Sequence, residues 1–92
     1  MIRSFKHKGL ELFFKTGKTK GIQFRHRKRL RIQLAALNTA ERISDLDLPG
    51  YKLHKLKGDK KLTWSIIVNK NWRLTFQFNH GDVCILNYED YH

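Results

Sequence analysis

Residues 72–78 read Trp-Arg-Leu-Thr-Phe-Gln-Phe, so large apolar residues alternate strictly with polar ones. Successive side chains of a β-strand point to opposite faces, and the alternation therefore predicts a strand with two distinct sides. One side carries the tryptophan, the leucine and both phenylalanines, and it must be covered by another layer. The other side carries Arg73, Thr75 and Gln77, which are left for solvent or a ligand.

Strand patterns also occur on both sides of this stretch. Residues 79–82, Asn-His-Gly-Asp, have the composition of a hairpin loop. Residues 83–90 beyond the loop are apolar on both faces, which predicts a central strand with Val83 and Ile85 on one face. Three further strands are predicted at residues 62–69, 51–56 and 1–5.

Helical spacing dominates the first half of the chain. Residues 8–15 place apolar residues on one helical face and end before Gly17, a suitable C-terminal cap. A long helix is predicted over residues 23–39, and a short one follows with Glu41 in its first turn and Asn38 or Thr39 as its cap. The predicted fold is α+β, with two or three helices packed on one face of a mainly antiparallel sheet of four or five strands, in a single domain of residues 1–92.

Charge is the strongest feature of the composition. The 92 residues include 19 Lys and Arg but only 8 Asp and Glu, which gives a net charge of +11 at pH 7. Such an excess predicts a polyanionic partner, with nucleic acid preferred over an anionic membrane surface. Apolar runs are far shorter than the ~20 residues of a membrane span, so no membrane insertion is expected. A lone cysteine, Cys84, excludes an internal disulfide and predicts a cytoplasmic protein.

The densest basic cluster lies in the first half of the long predicted helix. Because cations are unfavourable near a helix N-terminus, either a function explains this placement or the side chains are simply solvated. If the cluster has a function, a face that binds a polyanion is favoured over a catalytic role. The other side chains with possible chemistry are expected to be ordinary: His7, His26 and His80 on the surface, and Cys84 buried as a packing residue. The cluster consists of Arg25, Arg27, Lys28, Arg29 and Arg31.

A second set of residues is predicted to meet on the uncovered face of the sheet. Arg73 projects there if its apolar neighbours face the helices, and His54 points away from Leu53 by the same alternation. Lys57 reaches this face only if its strand ends or bulges near residues 56–58. The chain then ends just past a strand. The candidate catalytic residues are His54, Lys57, Arg73, Asp90, Tyr91 and His92.

This inventory suits the cleavage of RNA. The 2′-hydroxyl of RNA is an internal nucleophile, so the reaction needs neither a covalent residue nor a metal or other cofactor. It needs a base for the 2′-hydroxyl, cations for the charge that builds on phosphorus, and an acid for the departing 5′-oxygen. Histidine can act as base or acid near neutral pH, and arginine or lysine supplies the charge.

Three motifs, in order along the chain, resemble the HigB toxins of the RelE superfamily, which belong to type II toxin–antitoxin systems. They are Tyr-Lys-Leu-His-Lys-Leu-Lys-Gly-Asp at residues 51–59, Asn-Trp-Arg-Leu-Thr-Phe at residues 71–76, and the terminal Asp-Tyr-His at residues 90–92. The similarity also includes residues 1–10 and extends over essentially the whole chain.

The resemblance implies a twisted antiparallel sheet with helices against it, and a toxin that cuts mRNA in the A site of the 70S ribosome. Such toxins usually cut at adenine-rich codons without a metal, leaving a cyclic phosphate or a 3′-phosphate. The resemblance also implies that the family's active-site residues correspond to the six candidates above. Where relatives often have an arginine, this chain has Lys70, a point charge without the bidentate fork.

The resemblance also implies partners. These are mRNA, rRNA and a HigA-like antitoxin with a helix-turn-helix fold, which tends to dock away from the catalytic face. The basic cluster would then contact rRNA. Two other functions remain open from the residues alone: a non-catalytic basic protein that binds RNA or the ribosome, and a DNA-binding regulator. The regulator is disfavoured because no helix-turn-helix with its turn glycine is recognisable.

Overall fold

The computed structural model describes residues 1–58 and 62–91. Over these residues, four antiparallel strands form one sheet in the order β1-β2-β3-β4. Two α-helices and two short 3-10 helices accompany it, which confirms the predicted α+β class. The strands are β1 His54–Lys55, β2 Trp64–Ile67, β3 Trp72–Asn79 and β4 Asp82–Asp90. The helices are α1 Lys8–Thr16 and α2 Arg27–Thr39, with 3-10 helices at Phe24–His26 and Ile43–Leu46.

The core lies between the apolar face of the sheet and the two α-helices. Leu74 and Phe76 of β3 are fully buried, as is Ile66, which pairs with Leu74 across β2 and β3. From the helices, Leu10 of α1 and Leu30 of α2 belong to the same buried cluster. The alternation of residues 72–78 therefore predicted the covered face correctly.

Local signals define the ends of α1. The Nδ1 atom of His7 accepts a hydrogen bond from the Leu10 amide at 2.9 Å, and so caps the first turn. At the other end, Gly17 adopts a left-handed conformation and its amide donates to the Phe13 carbonyl at 2.8 Å. The second helix starts later than residue 23, because residues 24–26 form a 3-10 turn first.

Two predicted strands are shorter than expected. The predicted strand over residues 51–56 is reduced to His54–Lys55, because Lys52 has a φ of +50° and breaks the extended chain. The Tyr51 carbonyl instead accepts a bond from the Ile67 amide at 2.8 Å. The predicted strand over residues 62–69 is reduced to Trp64–Ile67, and it is followed by a bend that leads into β3.

The strand β4 differs from its prediction in position and in alternation. It lies at the end of the strand order rather than at the centre, and its outer edge receives residues 1–6 through isolated parallel bridges at Ile2 and Phe5. Its register against β3 shifts by one residue, which marks a β-bulge. Val83 is therefore buried while Ile85 is 47% exposed, so the two do not share a face, and Cys84 is only half-buried.

Candidate active site

The face of the sheet opposite the core carries two cross-strand rows. In one row Arg73 of β3 lies between Ile67 and Glu89. The neighbouring row runs across all four strands. Both α-helices pack on the other side, so this face is open, as the alternation predicted. The four-strand row is His54, Ser65, Thr75 and Asn87.

Arg73 is held in place on both sides. Its Nε donates to the Glu89 Oε1 at 2.9 Å, and its guanidinium carbon lies 4.4 Å from the centre of the Tyr91 ring. The side chain is only 15% exposed, so the ion pair is less screened than a surface pair. An arginine that is fixed in this way offers preorganised positive charge. Sequence reasoning missed Glu89 because the bulge in β4 brings it opposite Arg73.

The C-terminal candidates lie at the same end of the sheet. The Tyr91 amide donates to the Asn71 carbonyl at 2.7 Å, so the chain is anchored at least to that residue. Asp90 is exposed and pairs with Trp72. By alternation this places Asp90 on the side of Trp72 and Tyr88, and Glu89 is the carboxylate that meets Arg73. The predicted His92 lies outside the described residues.

His54 and Lys57 lie at the far edge of the open face. The His54 Nδ1 is 3.1 Å from the Lys52 carbonyl, which can only accept, so Nδ1 carries the proton in this bond. In the neutral ring, Nε2 is then the atom with a free electron pair. Ser65 Oγ lies 3.4 Å from both ring nitrogens. Since β1 ends at Lys55, the condition under which Lys57 could turn to this face is met, and Lys57 is exposed.

His26 is a correction to the sequence analysis, because it is buried at 3% exposure rather than on the surface. Its Nδ1 is 2.5 Å from the Tyr88 hydroxyl and its Nε2 is 2.6 Å from the Asn69 amide nitrogen. Asn69 Oδ1 accepts from the amides of Asn71 and Trp72, both at 3.1 Å. The network therefore fixes the turn whose Asn71 carbonyl anchors Tyr91.

Protonation of His26 is unfavourable at this position. Burial is the main cause that lowers its pKa, and the nearby Arg25 guanidinium lowers it further. With Nε2 accepting from Asn69, the neutral ring has its proton on Nδ1, which donates to the Tyr88 hydroxyl. Burial also raises the pKa of Tyr88. No sequence pattern marked this residue, since its partners are 43 and 62 positions away.

The basic cluster lies on the helical layer rather than on the open face, and its members differ in their surroundings. Arg29 donates to the carbonyls of Gly50 and Ile67, at 3.0 and 3.4 Å, and so links α2 to the chain before β1 and to the end of β2. Arg27 stacks on the Phe24 ring at 3.8 Å, whereas Arg31 lies 5.9 Å from the centre of the Phe13 ring. The exposed members include Arg25 and Lys28, and Lys70 is exposed in the turn before β3.

A metal-binding cluster and a membrane-spanning helix are both absent from residues 1–58 and 62–91. No group of three or more His, Cys, Asp or Glu side chains in these ranges could hold a metal ion. No helix within them has the length and apolar character needed to cross a membrane.

Several known proteins resemble this chain in sequence or in fold. Residues 3–92 match the family model of the RelE-like toxin of type II toxin–antitoxin system HigB. Endoribonuclease HigB of Proteus vulgaris is 54% identical over 92 residues, which are 100% of both chains. Crystal structures of YafQ from E. coli and of a YafQ point mutant are similar in fold, with TM-scores of 0.58 at 17% and 20% identity. Each covers 98% of this chain and 91% of its own.

Proposed function

The chain belongs to the HigB-like toxins of the RelE superfamily, and from this premise we propose that it is an endoribonuclease that cuts mRNA in the ribosomal A site and so inhibits translation. The observation that carries the proposal is Arg73, fixed by Glu89 and Tyr91 on an open sheet face. A fixed guanidinium binds a phosphodiester and stabilises the charge that develops on it.

The reaction balances without a covalent enzyme intermediate. The 2′-oxygen forms a bond to phosphorus, the bond to the 5′-oxygen breaks, and a cyclic phosphate results. A base takes the 2′-proton and an acid supplies a proton to the 5′-oxygen. His54 suits the role of base because its Nε2 carries the lone pair when Nδ1 donates to the Lys52 carbonyl, with the Ser65 hydroxyl 3.4 Å away from Nε2.

The other candidates have supporting roles in this proposal. Lys57 adds charge near the phosphate, and the Tyr91 ring orients Arg73 and offers a surface for a base. His92 is proposed as the acid. Asp90, at the end of β4, is proposed to orient a proton-transfer group from the rim of the site.

The net charge of the chain and its toxin family both indicate binding partners. A type II toxin has an antitoxin partner, and we propose a HigA-like protein with a helix-turn-helix fold that partly neutralises the +11 charge. The exposed members of the basic cluster on α2, together with Lys70, are proposed to bind rRNA. Because α2 lies on the other side of the sheet from Arg73, ribosome contact and cleavage use different faces.

The decisive test is mRNA cleavage on translating ribosomes by the Arg73→Ala variant. Loss of the preorganised charge is expected to slow cleavage by about 10²–10³-fold. Arg3→Ala is the matched control and is expected to keep full cleavage activity. Arg3 also forms an ion pair through its Nε, at 2.9 Å from the Asp82 carboxylate, but this pair lies on the exposed surface. Full activity of Arg73→Ala would contradict the site.

A second variant separates catalysis from binding alone. His54→Gln is expected to remain bound to ribosomes while cleavage falls by about 10²–10⁴-fold, because a proton-transfer group is lost. If His54→Gln and Arg73→Ala both still stop translation as efficiently as the unmodified chain, the protein acts as a non-catalytic ribosome-binding protein instead.

A further inference from the structure

An exposed aromatic side chain lies at the start of the basic cluster. Phe24 is 61% exposed, which is the largest exposure of any aromatic residue within residues 1–58 and 62–91. It belongs neither to the buried core nor to the apolar side chains that pack against it. Single apolar residues are common on protein surfaces, so the surroundings of this ring decide whether it has a role.

The guanidinium of Arg27 covers the Phe24 ring. Its central carbon lies 3.8 Å from the ring centre, and one of its terminal nitrogens donates to the Phe24 carbonyl at 3.0 Å. The π-electrons of the ring attract the cation, and the hydrogen bond fixes its position. Arg27 takes part in none of the ion pairs of the described chain, so no carboxylate there neutralises it. We call this pair the Phe24–Arg27 stack.

The backbone beneath the stack is held firmly. The stack stands on the 3-10 helix Phe24–His26, and the buried ring of His26 is bonded to Tyr88 and Asn69. On the other side, the Gln23 amide donates to the Tyr88 hydroxyl at 3.4 Å. The exposed ring is therefore presented on a preorganised turn, which reduces the entropy that binding would cost.

The segment that carries the stack has no acidic residue. Between Glu11 and Glu41 the chain contains eight Lys or Arg and no Asp or Glu, so residues 12–40 carry a charge of +8. Most of the net charge of +11 thus comes from less than a third of the chain. A surface of this kind attracts a polyanion.

An aromatic ring among cations favours nucleic acid over a protein as the partner. The centre of a protein–protein interface is apolar and depleted in charged residues. Phe24 instead has exposed cations next to it, namely Arg25 and Lys28. Proteins that bind single-stranded nucleic acid combine a cationic surface with aromatic side chains on which the bases stack.

We propose that the Phe24–Arg27 stack binds one unpaired nucleobase of ribosomal RNA, while neighbouring cations of α2 contact the adjoining phosphates. Only an unpaired base has a free face, because bases in a double helix stack on their neighbours. The stack lies on the helical layer rather than on the open face with Arg73, so the base is assigned to rRNA and not to the codon that is cut. The proposal rests on the proposed action on ribosomes and adds a stacking contact to the binding by charge.

The first test measures affinity for 70S ribosomes that carry no mRNA. Phe24→Ala is expected to weaken binding by about 5- to 150-fold, the value of one base–aromatic stack. Phe24→Leu should weaken it similarly, since leucine is apolar but has no π-face, whereas Phe24→Trp should bind at least as tightly as the unmodified chain. Ile32→Ala is the control because Ile32 is an equally exposed apolar residue of α2, at 65%, and its affinity should not change. Unchanged affinity of Phe24→Ala would overturn the proposal, and so would unchanged affinity of Phe24→Leu.

The dependence on salt separates stacking from charge. Loss of the ring removes no phosphate contact, so Phe24→Ala should keep the slope of log affinity against log salt of the unmodified chain. Lys28→Ala, by comparison, should lower this slope by about one. Arg27→Lys keeps the charge but loses the planar group, so binding should weaken with little change in the slope. If Phe24→Ala lowered the slope as much as Lys28→Ala does, the ring would act by arranging the cations, which contradicts stacking.

Nuclear magnetic resonance of the unmodified chain supplies a direct measurement that does not depend on a variant. The probe is a short single-stranded 2′-O-methyl RNA, which cannot be cut because its 2′-oxygen is blocked. The ring-proton signals of Phe24 should move upfield as a base stacks on the ring. The same strand annealed into a duplex is the control and should leave these signals in place. Absence of any upfield shift with the single strand would contradict the proposal.

Two further outcomes would assign the stack to another partner and so overturn the proposal. If Phe24→Ala weakens the complex with the antitoxin but not the complex with ribosomes, the ring is an anchor for a protein. If the weakening occurs only on ribosomes that carry mRNA, the bound base belongs to the messenger.

This proposal and the proposed function fail in different ways. If the unmodified chain does not cut mRNA on ribosomes, the ribonuclease function is wrong. If it cuts, and if Arg73→Ala abolishes cleavage while Phe24→Ala binds ribosomes as tightly as the unmodified chain, only the stacking site is wrong.

Discussion

At the scale of single residues, Ile85 has a strained backbone conformation that lowers the stability of the folded chain. Three non-glycine residues among those described have positive φ, namely Lys52, His80 and Ile85, and only Ile85 is β-branched. Such a conformation costs about 1–3 kcal/mol and persists when the surroundings enforce it. Here the enforcing contacts are the β3 ladder on one side and Ser4 on the other.

Ile85→Asn is expected to raise the free energy of unfolding by about 1 kcal/mol, because asparagine tolerates the left-handed region. Chemical denaturation measures the change. The matched control is Ile32→Asn on α2, where the isoleucine is also exposed, at 65%, but has helical geometry. That control should be neutral or slightly destabilising. An equal loss of stability in both variants would show that no strain is relieved at residue 85.

At the scale of elements, the buried network around His26 connects a 3-10 helix, β4 and the turn between β2 and β3. The contact is made by two short hydrogen bonds to Tyr88 and Asn69. Trp72 adds a ring contact to Tyr88, with centroids 4.5 Å apart. Because the same turn anchors Tyr91, the helical layer supports the geometry of the active site from the opposite side of the sheet.

This network predicts that the free energy of unfolding falls as the pH drops below about 6.5. Burial lowers the pKa of His26, and likewise of His7, in the folded state. The unfolded chain therefore binds protons in a range where the folded chain does not, so acid favours unfolding until the folded-state pKa is reached. Denaturant titrations between pH 7 and pH 5 measure this slope.

His26→Gln is expected to reduce the slope, since one of the two contributing groups is removed. His80→Gln, in the exposed hairpin loop, serves as the control for the removal of one imidazole. A slope that is identical in all three proteins would mean that His26 does not titrate between the two states.

At the scale of the whole molecule, the net charge is +11, and basic residues lie on α2 as well as around the active site. Salt weakens binding to RNA in proportion to the number of phosphates contacted. The basic cluster nevertheless contains two kinds of residue. Lys28 is exposed, whereas Arg29 holds two backbone carbonyls and contributes to the fold.

Lys28→Glu is expected to weaken binding to ribosomes and to lower the slope of log affinity against log salt by about one. Arg3→Glu makes the same change in net charge elsewhere and tests whether location matters. Arg29→Glu should instead lower thermal stability, because the Gly50 carbonyl loses its side-chain donor. The Ile67 carbonyl also loses Arg29 but keeps the hydrogen bond from Gln33 Nε2 at 2.8 Å. Equal weakening by Lys28→Glu and Arg3→Glu would assign binding to overall charge rather than to α2.

Local sequence patterns were sufficient to predict the class of the fold and to identify the face of the sheet that stays open. The alternation of residues 72–78 has a period of two, which depends only on neighbouring residues, and it correctly placed Arg73 away from the core. The helical spacing and the glycine cap of α1 are equally local. The family was also recognisable, because its motifs are short and contiguous.

The details of the site depended on contacts distant in sequence. If the register at the hairpin loop continued unchanged, Arg73 of β3 would pair with Tyr88 of β4. The bulge inserts one extra residue in β4, so Arg73 pairs with Glu89 instead. Tyr88 stays in the core. Ser4, 81 positions from Ile85, accepts the amide of that bulged residue. His26 is likewise buried only by partners from other elements. Hydrogen bonds between distant residues set the strand register and the burial of His26. Such contacts produce no periodic pattern in the sequence, so only the folded structure shows them.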